Sequence, residues 1–162
     1  MAPSRPPPGD NGSTVVTNRK ALRDYHIDER LEAGLVLTGT EVKSLRQGTA
    51  SLTDAYADLK PGEALLRGLH IPVYTAGNQF NHEPDRPRKL LLHRREIVRL
   101  MSQAARKGYT VVGLRVYFTR RGFAKVELGL GRGKHHQDKR EDLKRRDSDR
   151  DARREIARAM RR

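Results

Sequence analysis

The acidic residues of this sequence are its first candidates for catalysis. Glu32, Asp54 and Asp58 could gather around a magnesium ion, as the carboxylates of a metal-dependent nuclease do. Nothing in their spacing brings them to one point, and short antiparallel strands usually carry such residues on their outer face. Binding is therefore the better interpretation, and a magnesium-dependent nuclease stays as the alternative.

A second set with metal-ligand chemistry is His82, Glu83 and Asp85, in a polar segment at residues 73–88. No second cluster with defined spacing supports a metal site, so the segment is interpreted as a solvated loop. The sequence has no Walker loop and no cysteine, which excludes a thiolate metal site, a disulfide and a cysteine nucleophile. We expect no catalytic residues, no bound metal and no cofactor.

The charge of the chain indicates its partner. In 162 residues, 34 Lys and Arg stand against 20 Asp and Glu, which gives a net charge of +14. A small, strongly basic chain most often meets nucleic acid, with an anionic membrane surface or an acidic protein as alternatives. Aromatic residues are only 5% of the chain. Extended stacking on single strands is therefore not expected, and shape recognition of a folded RNA suits the composition better.

Short strands joined by tight turns must position these residues. Apolar residues at odd positions from Tyr25 to Leu37 predict the first strand. Thr38 and Glu41 have capping-box spacing, which predicts a short helix that ends at Gly48. Further strands are predicted at residues 52–59, 64–71, 89–92, 110–118 and 123–131, and a helix at residues 93–107. The pattern predicts a mainly β fold, a small closed antiparallel barrel with two to three short helices, because closure hides the sheet edges.

Alternation along the first strand places Glu32 on the outer face, where a basic RNA-binding surface would not ordinarily carry an anion. A carboxylate can accept hydrogen bonds from base amino groups, so Glu32 is a candidate for reading a base edge. An ion pair with a neighbouring arginine is an equal alternative. Asn18 and Arg19 stand with Lys20 and Arg23 at the entrance to the strand. The net charge favours phosphate contact there over a merely solvated strand edge.

Composition divides the chain into three parts. Residues 1–17 are predicted to be a disordered proline-rich leader, and residues 18–131 the barrel. Residues 132–162 carry 13 Lys and Arg against 7 Asp and Glu and few core-forming residues. We expect this basic tail to be disordered alone and helical on a polyanionic surface, since it has i,i+4 acid–base pairs and a thin apolar stripe. A solubilising tail is the alternative.

Several motifs together resemble the SsrA-binding protein family, small protein B of bacteria. They are NRKALRDY from Asn18, EAGLVLTGTEVKSLRQG from Glu32, DAYA, RKLLLH, GYTVV, GRGK and DKRED, which ends at Asp142. The resemblance implies an oligonucleotide-binding (OB-like) barrel that binds the tRNA-like domain of transfer-messenger RNA. It also implies delivery of that RNA to stalled ribosomes for trans-translation, by a factor that is not an enzyme.

The resemblance assigns roles to individual residues. Positions that match the family's RNA contacts are Asn18, Glu32, Leu91 and Lys125, and Arg19 joins them as a phosphate contact from its charge. The implied ribosome-binding positions of the tail, where the helix would occupy the empty mRNA channel, are Lys134, His136, Asp138, Lys139, Arg140, Ile156 and Met160. His135 and Gln137 depart from the family pattern, which puts the role of the neighbouring His136 in question.

The resemblance also implies the partners. They are transfer-messenger RNA, the decoding centre and mRNA channel of the small ribosomal subunit, and elongation factor Tu with GTP on the same RNA. The expected setting is a monomer in the cytoplasm, away from membranes. A structural ribosomal protein is a further alternative to the rescue factor.

Overall fold

Seven strands and four helices make up the computed structural model, which describes residues 13–161. The strands are β1 (Thr14–Thr17), β2 (Tyr25–Leu35), β3 (Tyr56–Lys60), β4 (Glu63–Arg67), β5 (Arg88–Leu91), β6 (Tyr109–Phe118) and β7 (Ala124–Gly133). The helices are α1 (Arg19–Asp24), α2 (Gly39–Arg46), α3 (Arg94–Ala104) and α4 (His136–Met160), with a 3-10 helix at Thr75–Phe80. No helix within residues 13–161 has the length and apolar character needed to cross a membrane.

The strands form one antiparallel sheet in the order β1-β6-β3-β4-β5-β2-β7, and β7 also pairs with β6. That last pairing closes β2 to β7 into a ring, with β1 beside the second half of β6. The mainly β prediction is therefore confirmed, and the closed pairing agrees with the expected hiding of sheet edges. The finer resemblance to an OB-like barrel stays a prediction.

Apolar side chains from every strand of the ring fill its interior. Leu66 and Leu128 from the strands, Leu45 from α2 and Leu100 from α3 have no exposed surface. Each such side chain contributes about 2 kcal/mol of hydrophobic stabilisation on burial. The helices α2 and α3 thus pack their apolar faces on the sheet, as their 3.6-residue periodicity predicts.

Glu41 explains how the polar segment at residues 73–88 is held. Its carboxylate is fully buried and accepts the backbone N–H of Thr38 at 2.9 Å, as the capping-box spacing predicts. It also accepts hydrogen bonds from Arg86 at 2.6 Å and from the fully buried Arg88 at 3.1 Å. Burial alone would raise the pKa of Glu41, but Arg86, Thr38 and Arg88 outweigh it and lower that pKa.

Two predictions near the N-terminus are corrected. Residues 14–17, assigned to the disordered leader, form β1, because they find hydrogen-bonding partners on β6. Residues 19–24, interpreted as a strand entrance, form the helix α1. The rest of the leader, residues 1–12, lies outside the described residues.

The strand expected from Leu52 begins at Tyr56, since the chain turns between Leu52 and Ala55, whose backbone groups hydrogen bond at 2.9 Å.

The basic tail is the helix α4 in this structure rather than a disordered segment. All 25 of its residues are described, and none of them is buried. Ion pairs along the helix join residues three positions apart instead of the predicted four, as between Asp142 and Arg145 at 2.9 Å. Its helicity therefore comes from local pairs and from contacts at its first turns. That it becomes helical only on a polyanion stays a prediction.

Candidate nucleic-acid interface

Three of the residues predicted to contact RNA line one open groove. Glu32, Leu91 and Lys125 lie on a groove of about 560 Å³ between β2, β5 and the start of α3, called the Glu32 groove below. Lys89 and His93 line it as well. Leu91 is 57% exposed, so an apolar side chain stands at the surface beside charged groups. The groove thus offers three carboxylates (Glu32, Glu63 and Glu96), two ammonium groups and an apolar surface to one ligand.

Strand register explains why these residues meet although they are far apart in sequence. Gly34 of β2 pairs with Lys125 of β7 on one side and with Leu91 of β5 on the other. An added Cβ at Gly34 would lie 2.9 Å from the Cβ of Leu91. Glycine at this position therefore lets Leu91 lie close against β2, where it borders the groove.

Glu32 is held in place but not covered. Its carboxylate accepts a hydrogen bond from the Tyr117 hydroxyl and lies 3.6 Å from the ammonium of Lys125. Burial, followed by the Glu32 contact, raises the pKa of Tyr117, so the hydroxyl stays protonated and donates. The side chain of Glu32 keeps 26% of its surface exposed. Glu32 is therefore ion-paired, though with a lysine rather than the expected arginine, and it still has acceptor surface for a base amino group.

Glu32 stands directly opposite Glu127 in the pairing of β2 with β7, a placement that like charges disfavour. Arg30 and Arg115 compensate, because their guanidinium groups lie 3.4 Å and 3.3 Å from the Glu127 carboxylate. Glu127 is only 5% exposed, and the two guanidinium groups balance its charge. Glu32 is thus the carboxylate of this pair that is accessible to solvent.

Asn18, by contrast, is buried, with 3% of its surface exposed. Its amide donates to the carbonyl oxygens of Leu52 at 2.7 Å and Gly113 at 2.9 Å. Its side-chain oxygen accepts the backbone N–H of Ala21 at 3.0 Å and caps α1. Asn18 therefore positions α1 and the exposed Arg19 next to it. An asparagine just before a helix is an N-cap signal that the sequence analysis missed.

Asn18 borders a second groove of about 510 Å³, which the side chains of Lys20, Lys134 and Lys139 also line. This Lys20 groove and the Glu32 groove lie toward opposite ends of β2. The nearest lining residues on this strand, Tyr25 and Glu32, are seven positions apart, which at a rise of about 3.3 Å each separates the two grooves by roughly 23 Å. The predicted RNA-binding residues therefore fall into two places, with Glu32, Leu91 and Lys125 together and Asn18 and Arg19 apart.

The first turns of α4 are joined to the ring of strands by residues predicted to act on the ribosome. Lys139 lies 3.4 Å from Asp24, and Asp138 lies 3.5 Å from the ring of His26. Lys134 is 7% exposed and pairs with a later residue of the tail, Asp142. The remaining predicted tail residues are exposed, namely His136, Arg140, Ile156 and Met160.

The candidate metal ligands are separated by their own partners. Asp54 pairs with Lys20 at 3.0 Å, and Asp58 pairs with Arg67 at 2.8 Å, so neither joins Glu32. Residues 13–161 contain no group of three His, Cys, Asp or Glu that could hold a metal. The structure therefore gives the nuclease alternative no assembled site.

The solvated-loop interpretation is wrong for His82, which is 9% exposed. Its Nδ1 lies 2.9 Å from the Thr40 hydroxyl and its Nε2 lies 2.9 Å from the carbonyl oxygen of Ile71. Because a carbonyl only accepts, Nε2 carries the proton and Nδ1 accepts from Thr40. His82 therefore fixes the loop to α2, and Asp85 pairs separately with His70 at 2.7 Å.

Comparisons with known proteins agree with this geometry. The family model described as SmpB protein matches residues 15–158. The SsrA-binding protein of Moorella thermoacetica is 54% identical over 153 residues, which cover 94% of this chain and 96% of the relative. The SsrA-binding protein of Acidothermus cellulolyticus is 56% identical over 146 residues, which cover 90% of this chain and 89% of the relative.

A solved structure described as "tmRNA-SmpB: a journey to the center of the bacterial ribosome" has the same fold. It is 47% identical, with a TM-score of 0.65, and the match covers 79% of this chain and 93% of that chain. Matches of this identity and coverage, together with the family model, leave no room for a different family. The chain belongs to the SmpB family of SsrA-binding proteins.

Proposed function

We propose that this protein binds the tRNA-like domain of transfer-messenger RNA and delivers it to stalled ribosomes for trans-translation. The observation that carries the proposal is the Glu32 groove, where Glu32, Lys125 and Leu91 converge from three strands. The names of the relatives, SsrA-binding proteins, support the RNA as the ligand. The protein acts as a binding factor in this process and not as an enzyme.

The net charge of the chain and the residues of the Glu32 groove contribute to RNA binding in different ways. The net charge of +14 supplies affinity for any polyanion, because each neutralised phosphate releases counterions. Glu32 opposes that general attraction, and the part of its carboxylate that stays exposed beside Lys125 can accept hydrogen bonds from base amino groups. Lys125, 3.6 Å away, binds a neighbouring phosphate and orients the carboxylate. Leu91 supplies an apolar contact to a sugar or base. Asn18 acts through α1, where it places Arg19.

The helix α4 is the part that acts on the small ribosomal subunit, in the empty mRNA channel and decoding centre. It is basic, and Ile156 and Met160 are exposed on it, with 56% and 83% of their surface in solvent. His136 and Arg140 are exposed at its start and are available to ribosomal RNA. Lys134, Asp138 and Lys139 exchange their present partners within the chain for ribosomal ones when the tail docks.

The remaining partners follow from the same process. Elongation factor Tu with GTP binds the same RNA, and the protein joins that complex as a monomer in the cytoplasm. The ring of residues 18–133 and the tail that follows divide the work between RNA binding and ribosome binding.

A competition gel shift tests the proposal at physiological salt. Transfer-messenger RNA bound to the full chain is challenged with excess bulk tRNA, and we expect the complex to persist. Glu32→Ala should weaken the specific complex at least tenfold while leaving weak binding to bulk tRNA unchanged or stronger, because an anion is removed. Glu83→Ala is the matched control, since it removes an exposed carboxylate outside the groove.

Equal competition by tRNA would contradict the proposal, because only the net charge would then be acting. Incubation of the same complex with magnesium separates the nuclease alternative. Intact RNA supports the binding factor, and cleavage that Glu32→Ala abolishes would replace it.

A further inference from the structure

The turn between β6 and β7 is an ordered platform for one aromatic side chain. The backbone N–H of Thr119 donates to the carbonyl oxygen of Phe123 at 2.9 Å, which extends the β6–β7 ladder by one pair. The N–H of Phe123 donates back to the Thr119 hydroxyl at 3.1 Å. Gly122 has a φ of 86°, a conformation that suits glycine, and its N–H donates to the Thr119 carbonyl at 2.9 Å. The turn is therefore fixed by its own hydrogen bonds.

Phe123 is 63% exposed on this turn. Phe118, at the same end of the hairpin, is 3% exposed and packs in the core. A fixed turn that directs a phenylalanine ring outward leaves apolar surface without cover among the described residues. Such a ring has a free face on which a planar group can stack.

The charged residues of this turn are both cationic. Arg120 and Arg121 are exposed on the turn itself. The guanidinium of Arg46 lies 4.4 Å from the centre of the Phe118 ring, and its Nη2 is 3.5 Å from where a Cβ on Gly122 would lie. Residues 119–126 contain no aspartate or glutamate. An exposed aromatic ring on a turn that carries two arginines and approaches Arg46 fits a polyanion that carries planar bases, and a neutral or basic protein surface fits it poorly.

The turn continues the face on which the Glu32 groove opens. Phe123 stands two positions before Lys125, and side chains two apart on a strand lie on the same face about 7 Å apart. An RNA that contacts Lys125 therefore needs to extend by only one nucleotide to reach Phe123.

We infer that Phe123 stacks on one nucleobase of the bound RNA while Arg46, Arg120 and Arg121 contact its phosphates. This inference rests on the proposed RNA binding and adds a contact outside the Glu32 groove. The contact requires only one accessible base near the bound region of the RNA. A single stacking residue is consistent with the low aromatic content of the chain. Alanine at a base-stacking position weakens binding about tenfold or more, because stacking is a large part of such contacts.

The chain has no tryptophan, so Phe123→Trp creates a unique fluorescent reporter. We expect titration with transfer-messenger RNA to quench it in proportion to complex formation. Phe80→Trp is the matched control: Phe80 is 81% exposed, but Glu83 and Asp85 follow it closely in its loop, so its reporter should not respond. Phe123→Ala should lower affinity about tenfold, and Phe123→Tyr should retain it.

Failure of this inference is distinct from failure of the proposed function. If Phe123→Ala binds the RNA as the wild type does and Phe123→Trp is not quenched, the stacking contact is overturned while the groove stands. If the wild-type chain does not select transfer-messenger RNA over tRNA, the proposed function itself fails, and the inference fails with it.

Discussion

The ammonium of Lys139 lies 3.4 Å from the carboxylate of Asp24, which joins the first turns of α4 to the end of α1. The backbone N–H of Lys134 donates to the Asp24 carbonyl oxygen at 2.8 Å in the same place. The side chain and backbone of one residue thus hold the start of the tail. Since Lys139 is also a proposed ribosome contact, docking on the ribosome must break this ion pair.

We therefore predict that Asp24→Asn loosens the start of α4 without unfolding the ring of strands. A partly exposed ion pair contributes about 0.5 kcal/mol. Amide hydrogen exchange at residues 139–143, the first amides bonded within the helix, should therefore become about twofold faster. High salt should have the same effect on the wild type. Asp151→Asn is the control, because it removes a 3.9 Å pair with Arg154 farther along the helix. Unchanged exchange in Asp24→Asn would show that the ion pair does not hold the tail.

The same contact should be lost only in acid. Burial raises the pKa of Asp24, but hydrogen bonds from Arg23 and Lys139 outweigh it and lower that pKa below its ordinary 3.8. A lowered pKa in the folded state means that the contact contributes fully above pH 3.8 and is lost as the pH falls through the lowered value. The difference in exchange between the wild type and Asp24→Asn at residues 139–143 should therefore persist above pH 3.8 and vanish in stronger acid.

Replacement of the buried Glu41 should have a much larger effect on stability. Glu41→Gln leaves Arg88, which is fully buried, and Arg86 without their countercharge. Removal of one partner of a buried ion pair costs about 3–5 kcal/mol, which urea unfolding can measure. Glu83→Gln removes an exposed carboxylate from the same loop and should change stability by less than about 0.5 kcal/mol. A wild-type-like Glu41→Gln would mean that the two arginines are solvated.

The Glu41 network also sets an acid limit on the fold. Because its pKa is lowered from the ordinary 4.5, the ionised carboxylate contributes stability above that pH. This contribution is lost as the pH falls through the lowered pKa, and Glu41→Gln should abolish that part of the pH dependence. Unfolding free energies of both proteins between pH 7 and pH 3 provide the measurement, and parallel curves would contradict it.

Local patterns could predict some of these features but not others. The Thr38–Glu41 capping contact lies within one turn of helix, so spacing alone indicated it. The partners of Glu41 are 45 and 47 residues away, and Glu32, Leu91 and Lys125 come from three strands. Their meeting depends on strand pairing, which periodicity does not specify. The helix α1 was missed because it is six residues long, too short to show a helical period.

Substitution by alanine should have opposite effects at two glycines, Gly34 in the Glu32 groove and Gly39 at the start of α2. Gly34→Ala brings a Cβ within 2.9 Å of the Leu91 Cβ, which must force β2 and β5 apart. Overpacking of this kind costs about 1–3 kcal/mol, and displacement of Leu91 should weaken RNA binding as well. At Gly39 an added Cβ meets no atom of residues 13–161 within 4 Å, so Gly39→Ala should be neutral or slightly stabilising. Equal thermal stability of the two variants would argue against the close approach.

Truncation of the tail tests the division of work between the two parts. Composition predicted that the tail begins at residue 132. In the structure, Arg132 and Gly133 still pair with His26 and Tyr25 in the β2–β7 ladder, so the tail begins after Gly133. A cut after residue 134 keeps that ladder intact, whereas a cut after residue 131 removes its end. We expect the chain of residues 1–134 to bind transfer-messenger RNA within about threefold of the wild type, since the Glu32 groove lies wholly outside α4.

The same truncated chain should fail to support tagging of stalled polypeptides in a reconstituted translation system, because it lacks the helix proposed to reach the ribosome. Glu32→Ala in the full chain is the complementary variant, which should lose RNA binding but keep its tail. Mixing the two defective proteins should not restore tagging, since one molecule must hold the RNA and reach the ribosome at once. Loss of RNA binding on truncation at residue 134, or tagging by the mixture, would contradict this division.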